Sequence, residues 1–152
     1  MLGKLSENQI EDLLQKQVTG RIGCHANGIT YIVPINYAYK DGCIYGHSAI
    51  GKKIKMLRSN PKVCFQVDVI ESILEWKSVI GWGHYEEITD REEMLKAMRE
   101  IIHHLGPMIN DTNGHPSHGI TDNENDIGSN IDLILYKICL YKKTGRFENP
   151  TV

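Results

Sequence analysis

The sequence lacks long apolar runs, an excess of one charge, and the common nucleotide-binding loops. No uninterrupted apolar stretch approaches the roughly 20 residues of a membrane-spanning helix, so we expect no membrane as partner. The net charge of −2 over 152 residues gives no general reason to expect nucleic acid as a partner. The motifs GxxxxGKS/T and GxGxxG do not occur, which disfavours a nucleoside triphosphate site and a Rossmann dinucleotide site.

Cysteine is sparse and has no metal-type or redox-type spacing. No CxxC pair occurs, and four cysteines stand far apart in apolar, strand-like contexts: Cys24, Cys43, Cys64 and Cys139. We therefore expect buried free thiols in a reducing cytoplasm. Residues 1–14 contain no continuous apolar segment of the kind found in secretory signals, which supports the same cytoplasmic expectation.

The composition, 41% hydrophobic and 24% charged, indicates one globular domain over residues 1–152. Three segments have helical periodicity. The first starts at a capping box formed by Ser6 and Gln9, places Ile10, Leu13, Leu14 and Val18 on one face, and ends at Gly20. The second runs from Gly51 to Ser59, and the third opens at Thr89 or Asp90 and carries a stripe of Met94, Leu95, Met98, Ile101 and Ile102.

The remaining patterned segments predict strands joined mostly by tight turns. Asn27-Gly28 and Asp41-Gly42 are strong hairpin signals, because these residues tolerate positive φ. The predicted strands cover residues 21–26, 29–39, 43–47, 62–69, 78–88 and 131–141, with a bend or bulge near Gly81 and Gly83. Short turns imply antiparallel neighbours, so we predict a mainly β fold, a barrel or sandwich with a few helices. A long polar loop at 106–130 and a tail at 143–152 complete the chain.

Two lysines at the start of the second helix form the first candidate site. Lys52 and Lys53 follow Gly51 in a first helical turn, where the helix dipole disfavours cations. A bound anion would turn this conflict into attraction, because the unpaired N–H groups of that turn also bind anions. His47 and Ser48 add donors just upstream. The alternative is that both lysines extend into solvent.

Pro34 is the second anomaly, since it stands in the middle of a predicted strand. Proline cannot donate to a sheet ladder, so this position belongs to an edge, a bulge or a ligand-facing stretch. Asn36 shares a face with Pro34. A strand that is partly freed from the ladder could offer its backbone groups to a flat heterocycle, or it could be a plain edge strand.

Residues 20–68 resemble the pyridoxamine 5′-phosphate oxidase-like, FMN-binding split-barrel superfamily, most closely the branch of the 5-nitroimidazole resistance proteins. The motifs that match are Gly20-Arg21-Ile22, Tyr31 to Pro34 with Tyr37, Ile44-Tyr45 with His47 and Ala49, Gly51 with Lys53, and Asn60-Pro61 with Val63 and Phe65. Residues 76–93 and 142–146 are also similar to that branch. Gly46 departs from it, because the branch usually has an aromatic residue there.

The resemblance implies a six-stranded antiparallel split barrel that binds FMN at the interface of a homodimer. His47, Ser48, Gly51, Lys52 and Lys53 fall on the positions that hold the FMN phosphate. Val33, Pro34, Ile35 and Asn36 fall on the strand beside the isoalloxazine ring, and Gln66 on a position near the flavin. Trp76, Ser78 and Trp82 are the candidates for the partner subunit's contribution.

The resemblance also implies an oxidoreductase that acts on a small molecule at the flavin, such as a nitroaromatic or a pyridoxamine 5′-phosphate-like substrate. His47 is the catalytic candidate, as a proton donor or only as a ligand contact. The alternatives are a flavin carrier or sensor without turnover, and a haem-binding relative that uses His115 or His118. We expect no metal site, since His115 and His118 stand in a polar loop with no cysteine nearby.

Overall fold

A computed structural model describes residues 1–109 and 133–150 of the chain. Its elements in chain order are β1 (Leu2–Lys4), α1 (Glu7–Lys16), β2 (Thr19–Ala26), β3 (Ile29–Asn36), β4 (Ala38–Lys40), β5 (Cys43–Ala49), α2 (Lys52–Ser59), β6 (Lys62–Ser72), β7 (Glu75–Glu87), α3 (Arg91–Ile109) and β8 (Leu133–Glu148). Six strands are long, and β1 and β4 have three residues each. None of the helices described is long and apolar enough to cross a bilayer.

The strands form one antiparallel sheet in the order β3-β2-β6-β7-β8-β5-β4, with β1 added on β8. The first and last strands of this order, β3 and β4, are consecutive in the chain and are separated by Tyr37 alone. The N–H of Tyr37 turns away to the carbonyl of Val18 at 2.9 Å. The sheet therefore closes on itself through the backbone at Tyr37, which confirms the predicted mainly β barrel.

Closure at Tyr37 leaves a split on one side of the barrel. Among the described residues, β3 pairs only with β2, and Gly46–Ala49 of β5 pair only with β8, since β4 reaches no further than Tyr45. These two free edges face the same gap, and α2 starts directly after β5. We call this gap, bounded by β3 and Gly46–Ala49, the split.

Two apolar clusters hold the fold together. The larger fills the barrel and includes Phe65, Tyr37 and Ile22, none of which is exposed. The smaller lies between α3 and the outside of β8, where Met98 and Ile101 are buried. The stripe predicted for the third helix is therefore confirmed, and Asp90 caps that helix by accepting from the N–H of Glu93 at 3.0 Å.

The local turn and cap signals are also confirmed. Asn27-Gly28 and Asp41-Gly42 adopt positive φ at both positions of each hairpin turn. Ser6 and Gln9 form the predicted capping box.

Three predicted boundaries are wrong, each for a non-local reason. The first helix ends at Lys16 instead of Gly20, because Gly20 lies in β2 under the ring of Phe65. The strand predicted for residues 29–39 is broken at Tyr37, where the barrel closes. The predicted tail at 143–152 belongs to β8 as far as Glu148, because that stretch pairs with both β7 and β1.

Two further boundary predictions have different outcomes. The long loop begins later than predicted, since α3 extends to Ile109, and the rest of it lies outside the described residues. The predicted bulge is present, because the register between β7 and β8 shifts between Trp82 and Gly83.

The expectation of free thiols is wrong for two of the four cysteines. Cys43 and Cys139 form a disulfide across β5 and β8, and Cys24 and Cys64 are free. The register of these strands places the two residues opposite each other although 96 positions separate them. Stable disulfides are rare in a reducing cytoplasm, so the Cys43–Cys139 bond does not support that expected compartment.

Candidate functional site

The N-terminus of α2 has local properties that favour a bound anion. Gly51 is the N-cap with an extended backbone, no side chain caps the helix, and no acidic residue stands in the first turn. The first N–H groups of a helix have no partner within it, so these groups and the dipole favour negative charge. A Cβ added at Gly51 would meet nothing within 4 Å, so there is open space beside the cap.

The two lysines after Gly51 lie over aromatic rings on two different strands. The Nζ of Lys52 lies 4.9 Å from the ring centroid of Tyr31 on β3. The Nζ of Lys53 lies 5.9 Å from the ring centroid of Tyr136 on β8. Lys52 is exposed, whereas Lys53 is partly buried, and this burial lowers the pKa of its ammonium against a smaller opposing effect of Cys24. The alternative that both lysines extend into solvent is therefore wrong for Lys53.

His47 and Ser48 lie on opposite faces of β5, because side chains alternate along a strand. His47 is directly opposite Leu135, on the face that packs towards α3, and it is partly buried. Ser48 is opposite Ile134 on the barrel side, and its hydroxyl donates to the carbonyl of Ala49 at 2.8 Å. The structure thus does not bring these two predicted contacts to one surface.

The predicted ring-binding strand lies at the end of the sheet, as Pro34 requires. Pro34 and Asn36 are exposed on one face of β3, which confirms the predicted shared face. Ile35 is buried in the barrel, and Val33 is directly opposite the buried Ile22. Ile35 can therefore offer a ligand its backbone groups but not its side chain, whereas the side chain of Val33 is only partly buried.

A polar network lies on the outer face of the sheet beside this strand. Gln66 donates from Nε2 to Oδ2 of Asp68 at 2.6 Å and to Oγ of Ser78 at 3.1 Å. Nη1 of Arg21 lies 3.8 Å from Oδ2 of Asp68, and Arg21 is opposite Pro34. Gln66 and Ser78 are thus brought together, and Arg21 and Asp68 are the members that the sequence analysis missed. Their alternation with core residues along β2 and β6 is the signal that could have identified them.

Both predicted tryptophans lie on the same outer face as Ser78, with their side chains partly exposed. Trp76 donates from Nε1 to Oε2 of Glu148 at 3.0 Å. The ring of Trp82 lies under the Nζ of Lys142, at 5.2 Å. These positions place the two indoles on an accessible sheet face and not in the barrel core.

Tyr136 is a second feature that the sequence analysis missed. Its side chain is fully buried, and its hydroxyl has no hydrogen-bond partner among the described residues. The ring lies against Gly46 of the neighbouring strand, where a Cβ would come within 2.5 Å of Cζ and Oη of Tyr136. The available signal was Gly46, which stands where the resembled branch usually has an aromatic residue. In the fold, Tyr136 of the adjacent strand supplies an aromatic ring at that place.

His104, on α3, makes a contact within the fold. A ring nitrogen of His104, Nε2, lies 2.9 Å from the carbonyl of Gln17, which indicates a structural role. His115 and His118 lie outside the described residues. Within the part of the chain that the structure describes, no three His, Cys, Asp or Glu side chains are grouped as metal ligands.

Comparisons with known proteins agree with this architecture. A family model described as pyridoxamine 5′-phosphate oxidase matches residues 6–126. An uncharacterized protein of Rhizobium meliloti, RA0666, is 36% identical over 84 residues, which are 55% of this chain and 56% of that protein. The chain thus matches little more than half the length of this curated relative.

Solved structures match over nearly the whole chain. A FAD-binding protein of Mesorhizobium loti superposes with a TM-score of 0.77 at 27% identity, covering 98% of this chain and 99% of the other. A candidate 5-nitroimidazole antibiotic resistance protein of Bacteroides thetaiotaomicron gives 0.73 at 21% identity (97% and 87%). A FAD-binding protein of Mycobacterium smegmatis gives 0.67 at 21% identity (95% and 98%).

The nitroimidazole branch is therefore one of several structural neighbours and does not stand out among them. The two structures at 21% identity support the fold alone. The family model covers well over half of the chain, and the antiparallel sheet with three helices matches the solved structures of this fold. The chain belongs to the pyridoxamine 5′-phosphate oxidase family and folds as its split barrel.

Proposed function

We propose that this protein binds FMN in the split and exchanges electrons between the flavin and a small molecule. The observation that carries the proposal is the start of α2, an uncapped helix end followed by two lysines, one beside Tyr31 on β3 and one beside Tyr136 on β8. Anaerobic reduction followed by a screen of electron acceptors tests the electron transfer. Release of the bound cofactor by heat tests the identity of the cofactor.

The residues present fit a phosphate monoester. Such a group carries about −1.5 to −2 charges at neutral pH, which matches two ammonium groups and a helix dipole. Lys53 forms no ion pair with any described residue, so its partly buried charge lacks an anion within this part of the chain. Buried charges are normally paired, and a ligand phosphate would supply the missing partner.

The ring of the flavin would lie along the free edge of β3. Backbone groups of residues 33–36 that do not pair with β2 point into the split, and Pro34 offers no competing N–H. The network of Arg21, Asp68, Gln66 and Ser78 lies on the adjacent face, where it can orient polar atoms of a ligand. The flavin supplies the electron chemistry when bound, and these residues supply orientation and access.

We assign His47 a binding or positioning role in this proposal. Its ring lies on the opposite face of β5 from Ser48, so the two side chains do not converge on one ligand atom. A proton donor would instead have to reach the reacting atoms within hydrogen-bond distance.

A second copy of the chain would complete the site. Ile32 and Ile70 are each 68% exposed on the outer face of the sheet, which also carries Trp76 and Trp82. One chain leaves this face and the free edge of β3 uncovered, whereas ligand sites normally bury most of the ligand. We propose a C₂ homodimer, the commonest oligomer symmetry, in which Trp76, Ser78 and Trp82 of one subunit cover the flavin of the other.

FAD is the second candidate cofactor, because the proteins of Mesorhizobium loti and Mycobacterium smegmatis are FAD-binding proteins of the same fold. We favour FMN, since the sequence has one helix-terminal phosphate site and no second glycine-rich loop for a pyrophosphate. Mass spectrometry of the cofactor released by heat separates the two. FAD as the main species would overturn the FMN assignment.

We propose the substrate class by analogy with the family model and one structural neighbour. The candidate resistance protein of Bacteroides thetaiotaomicron favours nitroaromatics such as 5-nitroimidazoles, and the family model favours pyridoxamine 5′-phosphate-like substrates. Anaerobic reduction by NADH or NADPH, followed by a screen of both acceptor classes, tests turnover. A flavin that is reduced but passes electrons to neither class would indicate a carrier or sensor, and a Soret band would indicate the haem-binding alternative.

A further inference from the structure

The hydroxyl of Tyr136 is a buried hydrogen-bond donor. The side chain has 0% exposure, and the oxygen has no hydrogen-bond partner among the described residues. Burial raises the pKa of this phenol, so the hydroxyl keeps its proton and can donate. Buried polar groups in native proteins nearly always have a partner, because an unpaired one is unfavourable.

The position of this hydroxyl depends on the glycine of the neighbouring strand. Tyr136 on β8 is directly opposite Gly46 on β5, and a Cβ at Gly46 would lie 2.5 Å from both Cζ and Oη of Tyr136. The tip of the phenol therefore lies over β5 itself. Gly46 belongs to the part of β5 that β4 does not reach, so the buried tip of the phenol lies beside the unpaired stretch of β5.

Lys53 approaches the same ring from the first turn of α2. Its Nζ lies 5.9 Å from the ring centroid, and its ammonium is likewise partly removed from water. Lys53 belongs to the first turn of α2, so a neutral and a cationic donor from separate elements lie near the helix end that favours an anion. Tyr136 is a second observation beside that helix end, because its hydroxyl has no hydrogen-bond partner among the described residues.

We propose that Tyr136 donates a hydrogen bond to the same phosphoryl group that Lys53 and the N-terminus of α2 bind, and that Gly46 is the residue that admits the phenol. The inference rests on the proposed phosphorylated flavin ligand and deepens it. It makes Tyr136 a phosphate-binding residue. It also makes Gly46 and Tyr136 a matched pair, in which the absent side chain of one makes room for the other.

The variant Tyr136→Phe tests the inference, because it removes one oxygen and keeps the ring. The purified apoprotein is titrated with FMN and with riboflavin, which lacks the phosphate. We expect FMN to bind about 10- to 100-fold more weakly, the range for one hydrogen bond to a charged group, and riboflavin to bind as in the wild type. Tyr85→Phe is the matched control, since its ring lies 5.4 Å from that of Tyr136 but its hydroxyl donates to Glu87.

Each other outcome overturns the inference. Unchanged FMN affinity would show that the hydroxyl contacts no ligand, and equal losses for FMN and riboflavin would show that it does not contact the phosphate. If the wild type and Tyr136→Phe bind FMN equally well, this inference is refuted and the proposed function is unaffected. A wild type that binds neither FMN nor FAD would refute both.

A second variant tests the role of Gly46. Gly46→Ala should displace the phenol and lower FMN affinity, and adding Tyr136→Phe to it should lower the affinity little further, because both changes remove the same contact. Circular dichroism confirms that each variant is folded. Additive losses in the double variant would contradict the pairing of these two residues.

Discussion

Cys43 and Cys139 lie directly opposite each other on β5 and β8, with 3.9 Å between their Cα atoms, and join these strands by a disulfide. The bond closes a segment that includes β5, β6, β7 and α3, so it restricts the unfolded chain over 96 positions. It also anchors the strand that ends at the proposed phosphate site. Its contribution to stability is therefore the first property to measure.

Removing this disulfide should lower the free energy of unfolding by about 2–4 kcal/mol, because the unfolded chain regains conformational entropy. Denaturant unfolding of the wild type with and without dithiothreitol measures the effect. Cys43→Ser combined with Cys139→Ser should unfold like the reduced wild type and be insensitive to dithiothreitol. Cys64→Ser, which changes a free thiol, should keep the full response, and a wild type unaffected by reductant would contradict the prediction.

Removing both lysines of the proposed phosphate site should give a colourless, folded protein. Each lost charge-assisted hydrogen bond weakens binding by roughly one to two decades, so Lys52→Ala with Lys53→Ala should bind FMN at least 100-fold more weakly. Riboflavin affinity should stay unchanged. Lys55→Ala is the control, because Lys55 is exposed on the same helix beyond the first turn. Retention of wild-type FMN affinity by the double variant would place the phosphate elsewhere.

The apoprotein should be more stable at neutral pH without the charge of Lys53. Burial lowers the pKa of Lys53 from its ordinary value of 10.5, so the unfolded chain binds this proton more tightly than the folded chain. The protonated Lys53 therefore lowers the free energy of unfolding. This loss of stability is fully present below the lowered pKa and disappears as the pH rises to 10.5. We expect Lys53→Met to raise the melting temperature at pH 7 and to lose this advantage near pH 10.5, with Lys55→Met as control. If the melting temperatures of Lys53→Met and the wild type differ by the same amount at every pH in this range, titration of Lys53 is not the cause of the difference.

A charge on the outer sheet face should separate the proposed dimer. Trp82→Glu places a carboxylate where we expect partner contact, and the loss of a buried interface aromatic typically weakens association about 10-fold or more. Light scattering coupled to size exclusion, with absorbance read at the flavin band, measures mass and cofactor together. Gln15→Glu on the exposed side of α1 should leave both unchanged. A wild type that elutes yellow and monomeric would refute the dimer.

Filling the space at Gly20 should destabilise the barrel core. A Cβ there would lie 2.4 Å from Cζ of Phe65 and 2.9 Å from the carbonyl oxygen of Gln66, so the core must shift. Overpacking of this kind costs about 1–3 kcal/mol, which denaturant unfolding of Gly20→Ala would detect. Gly23→Ala on the same strand is the comparison, because no atom lies closer than 3.8 Å to the added Cβ. Equal stability of Gly20→Ala and the wild type would contradict the tight packing.

Features that depend on neighbours in the chain could be read from the sequence. The turns at Asn27-Gly28 and Asp41-Gly42 follow from the backbone freedom of those residues, and Pro34 indicates an edge strand because it lacks an N–H. The caps at Ser6 and Asp90 follow from side chains that reach back over one turn. Each signal spans at most a few residues, so no knowledge of the rest of the fold is needed.

Features that depend on strand register were decided only by the tertiary structure. The pairing of Cys43 with Cys139 and the placement of Tyr136 over Gly46 join β5 to a strand about 90 residues away. The closure at Tyr37 and the extension of β8 to Glu148 likewise depend on partners far along the chain. The sequence by itself therefore determined the strand and turn pattern and the two lysines of an anion site. Only the folded barrel decided which groups face that site, because side-chain direction across paired strands is set by register and not by local sequence.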